Sequence, residues 1–213
     1  MENICTRIIE HNVNNVDPLT KLIPSDLCVS MEGVFCLATC QDFCRGGPHI
    51  IERLCGRSYN LASAGITLTS IGYYDEARIL ARSLGEVANL VTLFVFSKQE
   101  LVEWFKSSEQ DRRRNFSPFK VRKKLENTGC NVVPVTNEEY SALCGDVVHP
   151  TPRTIPNAYN KLGQANVGSF HQVSGAETSI GDIRFPLMVI CLGAAKMLGH
   201  NKIFKDISSE IGD

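Results

Sequence analysis

The sequence predicts an all-α protein, an antiparallel helical bundle of about six to eight helices with a long loop after the helix that ends at His149. Three observations carry this. Residues 74–96, YDEARILARSLGEVANLVTLFVF, set Ala77, Leu80, Leu84, Val87, Val91 and Phe94 at alternating steps of three and four, an apolar seam that requires a partner helix. A three-residue break, Ile71-Gly72-Tyr73, joins this stretch to the periodic segment before it, which is the spacing of an antiparallel helical hairpin. The extended run at 132–135 contains Pro134, which a central strand would not tolerate.

In chain order, Ile4, Ile8, Ile9 and Val13 give residues 4–16 a loosely helical period, and Asp17-Pro18 ends it. Ser25 or Asp26 then caps a helix bearing Leu27, Met31, Val34, Phe35 and Ala38, which stops at Gly46-Gly47. Pro48 suits the first position of the next helix, whose apolar side is Ile51, Leu54, Leu61 and Leu68 and whose end is Gly72. The 74–96 helix is the centre of the fold. Opposite its seam run Asp75, Arg78, Arg82, Glu86 and Asn89, and a third face is small: Ala81, Gly85, Ala88 and Thr92. A mid-helix glycine costs about 1 kcal/mol relative to alanine, so Gly85 implies that another backbone passes close by.

After Phe96, KQELVEWFKSSEQ reads as a short amphipathic helix or the outer end of the central one. The one basic cluster follows, with Arg112, Arg113, Arg114, Lys120, Arg122, Lys123 and Lys124 crowded around Phe116 and Phe119, and Gly129 closing the helix. Cations interleaved with aromatics can track a phosphate backbone while bases stack. They are equally the pattern of a solvated helix with two phenylalanines turned inward, and charge runs are more often that. Thr136 and Glu139 match a capping box and start a helix with Tyr140, Leu143, Cys144, Val147 and Val148, which Pro150 forces to end at His149. Residues 150–181, rich in Pro, Gly and Asn, form a long loop or lid, with a short strand at 169–173 as its one regular piece. A final core helix over 182–198 ends at Gly199, and the tail beyond it is expected to be dispensable.

Apolar content of 43% and a net charge of −1 fit one globular domain over residues 1–213, with 1–24 as N-terminal helix and linker, and place any nucleic-acid role in a local patch. The first thirty residues lack the basic start, apolar run and small-residue cleavage site of a secretory signal, so a cytoplasmic location is expected. The apolar run at 187–198 contains Lys196 and is too short to span a bilayer, so no membrane partner is expected. Nine cysteines in a reducing compartment are read as core thiols. Cys36, Cys40 and Cys44 fall on one helical face, but no C-x-x-C is present, and neither a metal nor a cofactor is expected.

The candidate site is Arg82, Glu86, Tyr140 and His149: a guanidinium to hold phosphate, a carboxylate, a phenol, and an imidazole able to move a proton. Solvated i, i+4 pairing accounts for Arg82 and Glu86 as well unless another element covers the stripe. His11, His49, His171 and His200 carry no motif. Phosphate-binding G-x-x-x-x-G-K, H-E-x-x-H and G-x-S-x-G signatures are absent, and the enzyme classes that depend on them are excluded.

At these residues the chain resembles a group of uncharacterised bacterial helical proteins with A-x-x-L-x-R-S-x-x-E on a central helix, here Ala77 to Glu86, and Y-x7-V-H-P, here Tyr140 to Pro150. The resemblance spans about residues 48–200. Such proteins look like distant relatives of the HEPN bundles, many of which are RNA-cleaving toxins or antiviral defence effectors. It implies a helical bundle, RNA as partner, and Arg82, Glu86 and His149 as the shared site. HEPN ribonucleases place four to six residues between an arginine and a histidine on one helix; Arg7/His11 and Arg45/His49 have three between them, so Arg82 would have to substitute from another helix, or Arg153 from the loop. The expected function is RNA binding of defence or toxin type; in its strongest form the protein is an endoribonuclease in which His149 acts as base on a ribose 2′-hydroxyl and Arg82 on the phosphate, without metal. The alternative is a non-catalytic module holding a small ligand, a protein encoded nearby or a second copy of itself in a homodimer.

Overall fold

A computed structural model describes residues 3–17, 19, 21–40, 44, 46–128, 133–152 and 154–212, with side chains through residue 210. They form ten α-helices and no strand: α1 (Ile4–Asn14), α2 (Ser25–Thr39), α3 (Ile50–Ser70), α4 (Tyr74–Phe96), α5 (Lys98–Lys106), α6 (Glu109–Asn115), α7 (Pro118–Asn127), α8 (Asn137–Leu143), α9 (Val173–Leu198) and α10 (Asn201–Gly212). The last turn of α8 widens into a π-turn, Cys144–Val148. Gly129, expected to close a helix, lies outside the described residues.

The all-α class stands and the expected six to eight helices do not. The basic segment divides because Ser108 caps α6 through Asp111 and Pro118 restarts the chain as the first residue of α7. The tail supplies the tenth helix and is part of the core: Ile207 on α10 is 0% exposed, and Ser25 Oγ on α2 donates to Glu210 Oε2 at 2.6 Å. α9 begins at Val173, so the loop ends earlier than its composition suggests and 169–173 is no strand. At α3 the first helical residue is Ile50, behind Pro48.

α4 is the hub, touching α3, α5, α7, α8, α9 and the π-turn. Its seam residues Ala77, Leu84, Val91 and Phe94 are fully buried, the last three in one core cluster with Leu187 and Ile190 of α9 and Leu61 of α3. The small face is buried as well, at Ala81, Gly85 and Ala88. α3 and α4 form the predicted hairpin, but α4 and α9 run parallel. Tyr74 meets Gly175 and Ser179 at one end, Arg78 meets Asp182, and Val91 meets Gly193 at the other. The antiparallel arrangement expected from the sequence does not extend to this pair, because the chain from α5 through the long loop climbs back to the starting end. Both α4 and α9 are long and apolar enough to cross a membrane by length and composition, and here they form the central pair of the bundle.

α1 stands apart from the core. Ile4, Ile8, Ile9 and Val13 are all exposed, and the helix is tied on through polar contacts, Asn15 Nδ2 donating to Ser169 Oγ at 2.7 Å and Asp17 N to Ser70 O at 2.7 Å.

Candidate functional site

The polar stripe of α4 is covered by the connector and helix that follow α7. Asn89 is 2% exposed and exchanges two hydrogen bonds with Val135, Nδ2 to the carbonyl at 2.9 Å and Val135 N to Oδ1 at 3.0 Å. The side-chain amide thereby satisfies both backbone groups of a buried residue. Val135 reaches α4 where Gly85 leaves room; a Cβ there would stand 2.8 Å from Val135 Cγ2. The close approach expected at Gly85 is that of a backbone; the atoms met there are instead those of the Val135 side chain. One residue on, Thr136 starts α8 with the predicted capping box, its hydroxyl accepting from Glu139 N and Glu139 accepting from Thr136 N.

That start sets Tyr140 over the stripe. Arg82 Nη2 donates to Glu86 Oε1 at 2.7 Å and to the Tyr140 hydroxyl at 2.5 Å, and the hydroxyl donates to Glu86 at 3.0 Å. Arg122 enters from α7. Its guanidinium carbon lies 4.2 Å from the Tyr140 ring centroid and its Nη2 donates to Asn137 Oδ1 at 3.1 Å. Three segments distant in sequence thus meet around one phenol, with Arg82 22% and Glu86 32% exposed at the side chain. Burial pushes the Tyr140 phenol above its usual range, the Glu86 charge adds to this, and Arg82 opposes it. Burial works against the Arg82 charge, but the bond to Tyr140 and the charge of Glu86 outweigh it and hold the guanidinium protonated beyond its usual range. Neither group is poised to exchange a proton near neutral pH.

His149 does not join them. It is exposed just past the π-turn, its backbone N–H bonded to Cys144 O at 2.9 Å, and its ring makes no hydrogen bond or ion pair among the described residues. The structure brings together Arg82, Glu86 and Tyr140, adds Arg122, and leaves the imidazole in solvent. The two-residue site of phosphate-holding Arg82 and base His149 is not assembled, because Arg82 is turned onto Glu86 and Tyr140.

The basic cluster divides into inward and outward members. Arg122 is 4% exposed. Arg112 donates to Ser107 O at 3.0 Å, Arg113 pairs with Glu109, and Lys124 pairs with Glu100 while lying over the Phe116 ring. Arg114, Lys120 and Lys123 are exposed and have no such partner among the described residues. Phe119, one turn before Lys123, is 54% exposed.

A second polar centre, absent from the sequence reading, surrounds Arg78. Its Nε donates to Asp182 at 2.7 Å and its Nη1 to the Tyr159 hydroxyl at 3.1 Å; Asp146 stands 3.8 Å away, and Tyr159 donates to Asp75 at 2.8 Å. Asn157, with a left-handed φ of 49°, holds the loop against the start of α4: its Oδ1 accepts from Tyr74 N at 3.1 Å and its Nδ2 donates to Gly72 O at 3.0 Å. Clefts of about 330 and 760 Å³ open on either side of Arg78. The aspartates lie far apart in sequence, so no spacing rule gathers them, although Asp75 and Arg78 did stand on the predicted stripe.

The α2–α3 connection also departs from expectation. α2 stops at Thr39, so Cys36, Cys40 and Cys44 do not share a helical face; Cys40, Cys44 and His49 turn toward one another. The chain matches no known protein family, no curated protein and no solved structure.

Proposed function

We propose that the protein is an RNA-binding helical bundle whose contact surface is the outer side of α6 and α7. The observation that carries this is the set of three exposed cations, Arg114, Lys120 and Lys123, unpaired among the described residues and beside the half-exposed Phe119. Cations without internal partners are free to replace the counterions of a phosphate backbone. An exposed aromatic among them offers a face on which a base stacks, and such stacking contributes about 1–3 kcal/mol per base. Single-stranded RNA supplies both features. The HEPN-like resemblance gives this reading a setting, RNA-directed defence or toxin action in a bacterial cytoplasm.

Binding without cleavage is the form the site geometry supports. Arg82 is engaged by Glu86 and Tyr140, and His149 stands outside that cluster. The test is fluorescence anisotropy with a single-stranded oligoribonucleotide, comparing the wild type with Phe119→Ala and with Arg114→Ala/Lys120→Ala/Lys123→Ala. Both variants are expected to bind at least tenfold more weakly, with the RNA recovered intact. Equal affinity in all three removes the reading.

A second reading has its own observation. The clefts beside Arg78 are lined by Asp75, Asp146, Asp182 and Glu139, more carboxylates than the one guanidinium balances, which suits a small ligand carrying a positive charge. A melting temperature raised by a polyamine in the wild type, and not in Asp146→Asn, supports it; no shift at millimolar polyamine removes it.

A further inference from the structure

We infer that Cys40, Cys44 and His49 form a binding site for a zinc-type divalent cation, with Glu52 holding the imidazole. The ligand atoms of the three residues lie within 4.8 Å of one another. Cys40 Sγ is 3.9 Å from His49 Nδ1, and Cys44 Sγ is 4.0 Å from Nε2. Around a tetrahedral ion with metal–sulfur bonds of about 2.3 Å and metal–nitrogen bonds of about 2.0 Å, ligand atoms stand roughly 3.5–3.8 Å apart. Small side-chain rotations close the difference.

The backbone is arranged to bring these residues together. Cys40 ends α2 with φ 52° and His49 precedes α3 with φ 48°, both left-handed values that non-glycine residues rarely adopt. Strain of this kind collects where a fixed side-chain geometry is needed, and here it occurs at two of the three ligands. Sulfur and imidazole together select zinc over calcium or magnesium.

The surroundings are those of a metal site. Glu52, with only 10% of its side chain exposed, places Oε1 3.3 Å from His49 Nδ1. A carboxylate on Nδ1 fixes the tautomer and leaves Nε2, the nitrogen facing Cys44, to ligate, so Cys40 Sγ, which stands 3.9 Å from Nδ1, has to swing toward Nε2 to share the ion. Gly46 N donates to Cys44 Sγ at 3.4 Å, a bond that supports a thiolate. His49 and Glu52 also line a cleft of about 630 Å³, which leaves the fourth coordination position space for water or a ligand atom. The sequence did not expose this site because its sulfurs are spaced C-x-x-x-C, and the left-handed backbone at Cys40 and His49 leaves no periodic trace.

The test titrates cobalt(II) into the reduced, chelator-treated full chain. One equivalent is expected to produce a thiolate-to-cobalt charge-transfer band, which Cys40→Ser and Cys44→Ser abolish and zinc displaces. Glu52→Gln should weaken binding about 10- to 100-fold. Cys28→Ser, an exposed cysteine elsewhere on α2, should bind as the wild type does, and circular dichroism checks that each variant is helical. No band at one equivalent, or a band that survives both serine variants, overturns the inference.

Discussion

Arg122 and Tyr140 are stacked, guanidinium carbon to ring centroid at 4.2 Å, so the one buried member of the basic run fastens α7 to α8 while Lys120 and Lys123 beside it face solvent. A single turn of α7 thus carries both a structural cation and the exposed ones. The two kinds should separate on mutation. Removing Arg122 forfeits a desolvated cation–π contact worth up to about 2 kcal/mol and opens a void. For a chain of this size Arg122→Ala should lower Tm by about 4–8 °C. Lys123→Ala should leave it within about 2 °C. Equal melting of the two variants by calorimetry would contradict the division.

The Arg82, Glu86 and Tyr140 cluster should behave as one unit. Arg82→Ala leaves the half-buried Glu86 carboxylate without its cation, and Glu86→Ala leaves the guanidinium with only Tyr140. Each should cost several degrees of Tm, and the double variant less than their sum, with a coupling of about 0.5–3 kcal/mol. Additive losses in urea unfolding would show that the residues do not share a cluster.

Gly85→Ala tests the approach of Val135. The added Cβ would meet Val135 Cγ2 at 2.8 Å, and overpacking of this kind costs about 1–3 kcal/mol. Gly145→Ala, with open space around its Cβ, serves as the control and should not lower Tm. A Gly85→Ala protein that melts with the wild type would remove the claim that the connector is pressed against α4.

Much of this was readable beforehand. The 3.6-residue period of Leu84, Val91 and Phe94 identified the hub helix, Gly85 announced a close neighbour, and Thr136 with Glu139 placed the start of α8, because each is a local consequence of backbone geometry. What escaped was set by tertiary contacts. Nothing in the run at 112–124 says that Arg122 alone turns inward, since that depends on where Tyr140 arrives. The parallel course of α4 and α9 depends on a crossover whose path no local signal encodes. His49 became visible only through the left-handed backbone at Cys40 and His49, with its ring beside both sulfurs. The grouping of Arg82 with His149 rested on side-chain chemistry and a resemblance rather than on any spacing, and Tyr140 and Glu86 occupy the guanidinium.

The loop after the π-turn should loosen in alkali. Burial pushes the Tyr159 phenol from near 10 up to about 12, with Arg78 opposing and Asp75 adding. Between pH 10 and 12 the unfolded chain gives up this proton while the folded chain keeps it. Its stabilising contribution is therefore complete below pH 10 and is lost as pH climbs to 12. Tyr159→Phe cannot titrate, so the Tm gap between wild type and variant should be widest below pH 10 and should narrow above it. A gap constant from pH 8 to 12 would count against a retained proton.

The most direct test of the RNA surface is the salt dependence of binding. Single-stranded RNA affinity should fall with log salt, and each phosphate-bound cation contributes a slope of about 0.7. Replacing Arg114, Lys120 and Lys123 together should reduce that slope by about 2, while His149→Ala leaves both slope and affinity unchanged. A triple variant with the wild-type slope, or an affinity that collapses on losing His149 alone, would contradict the account.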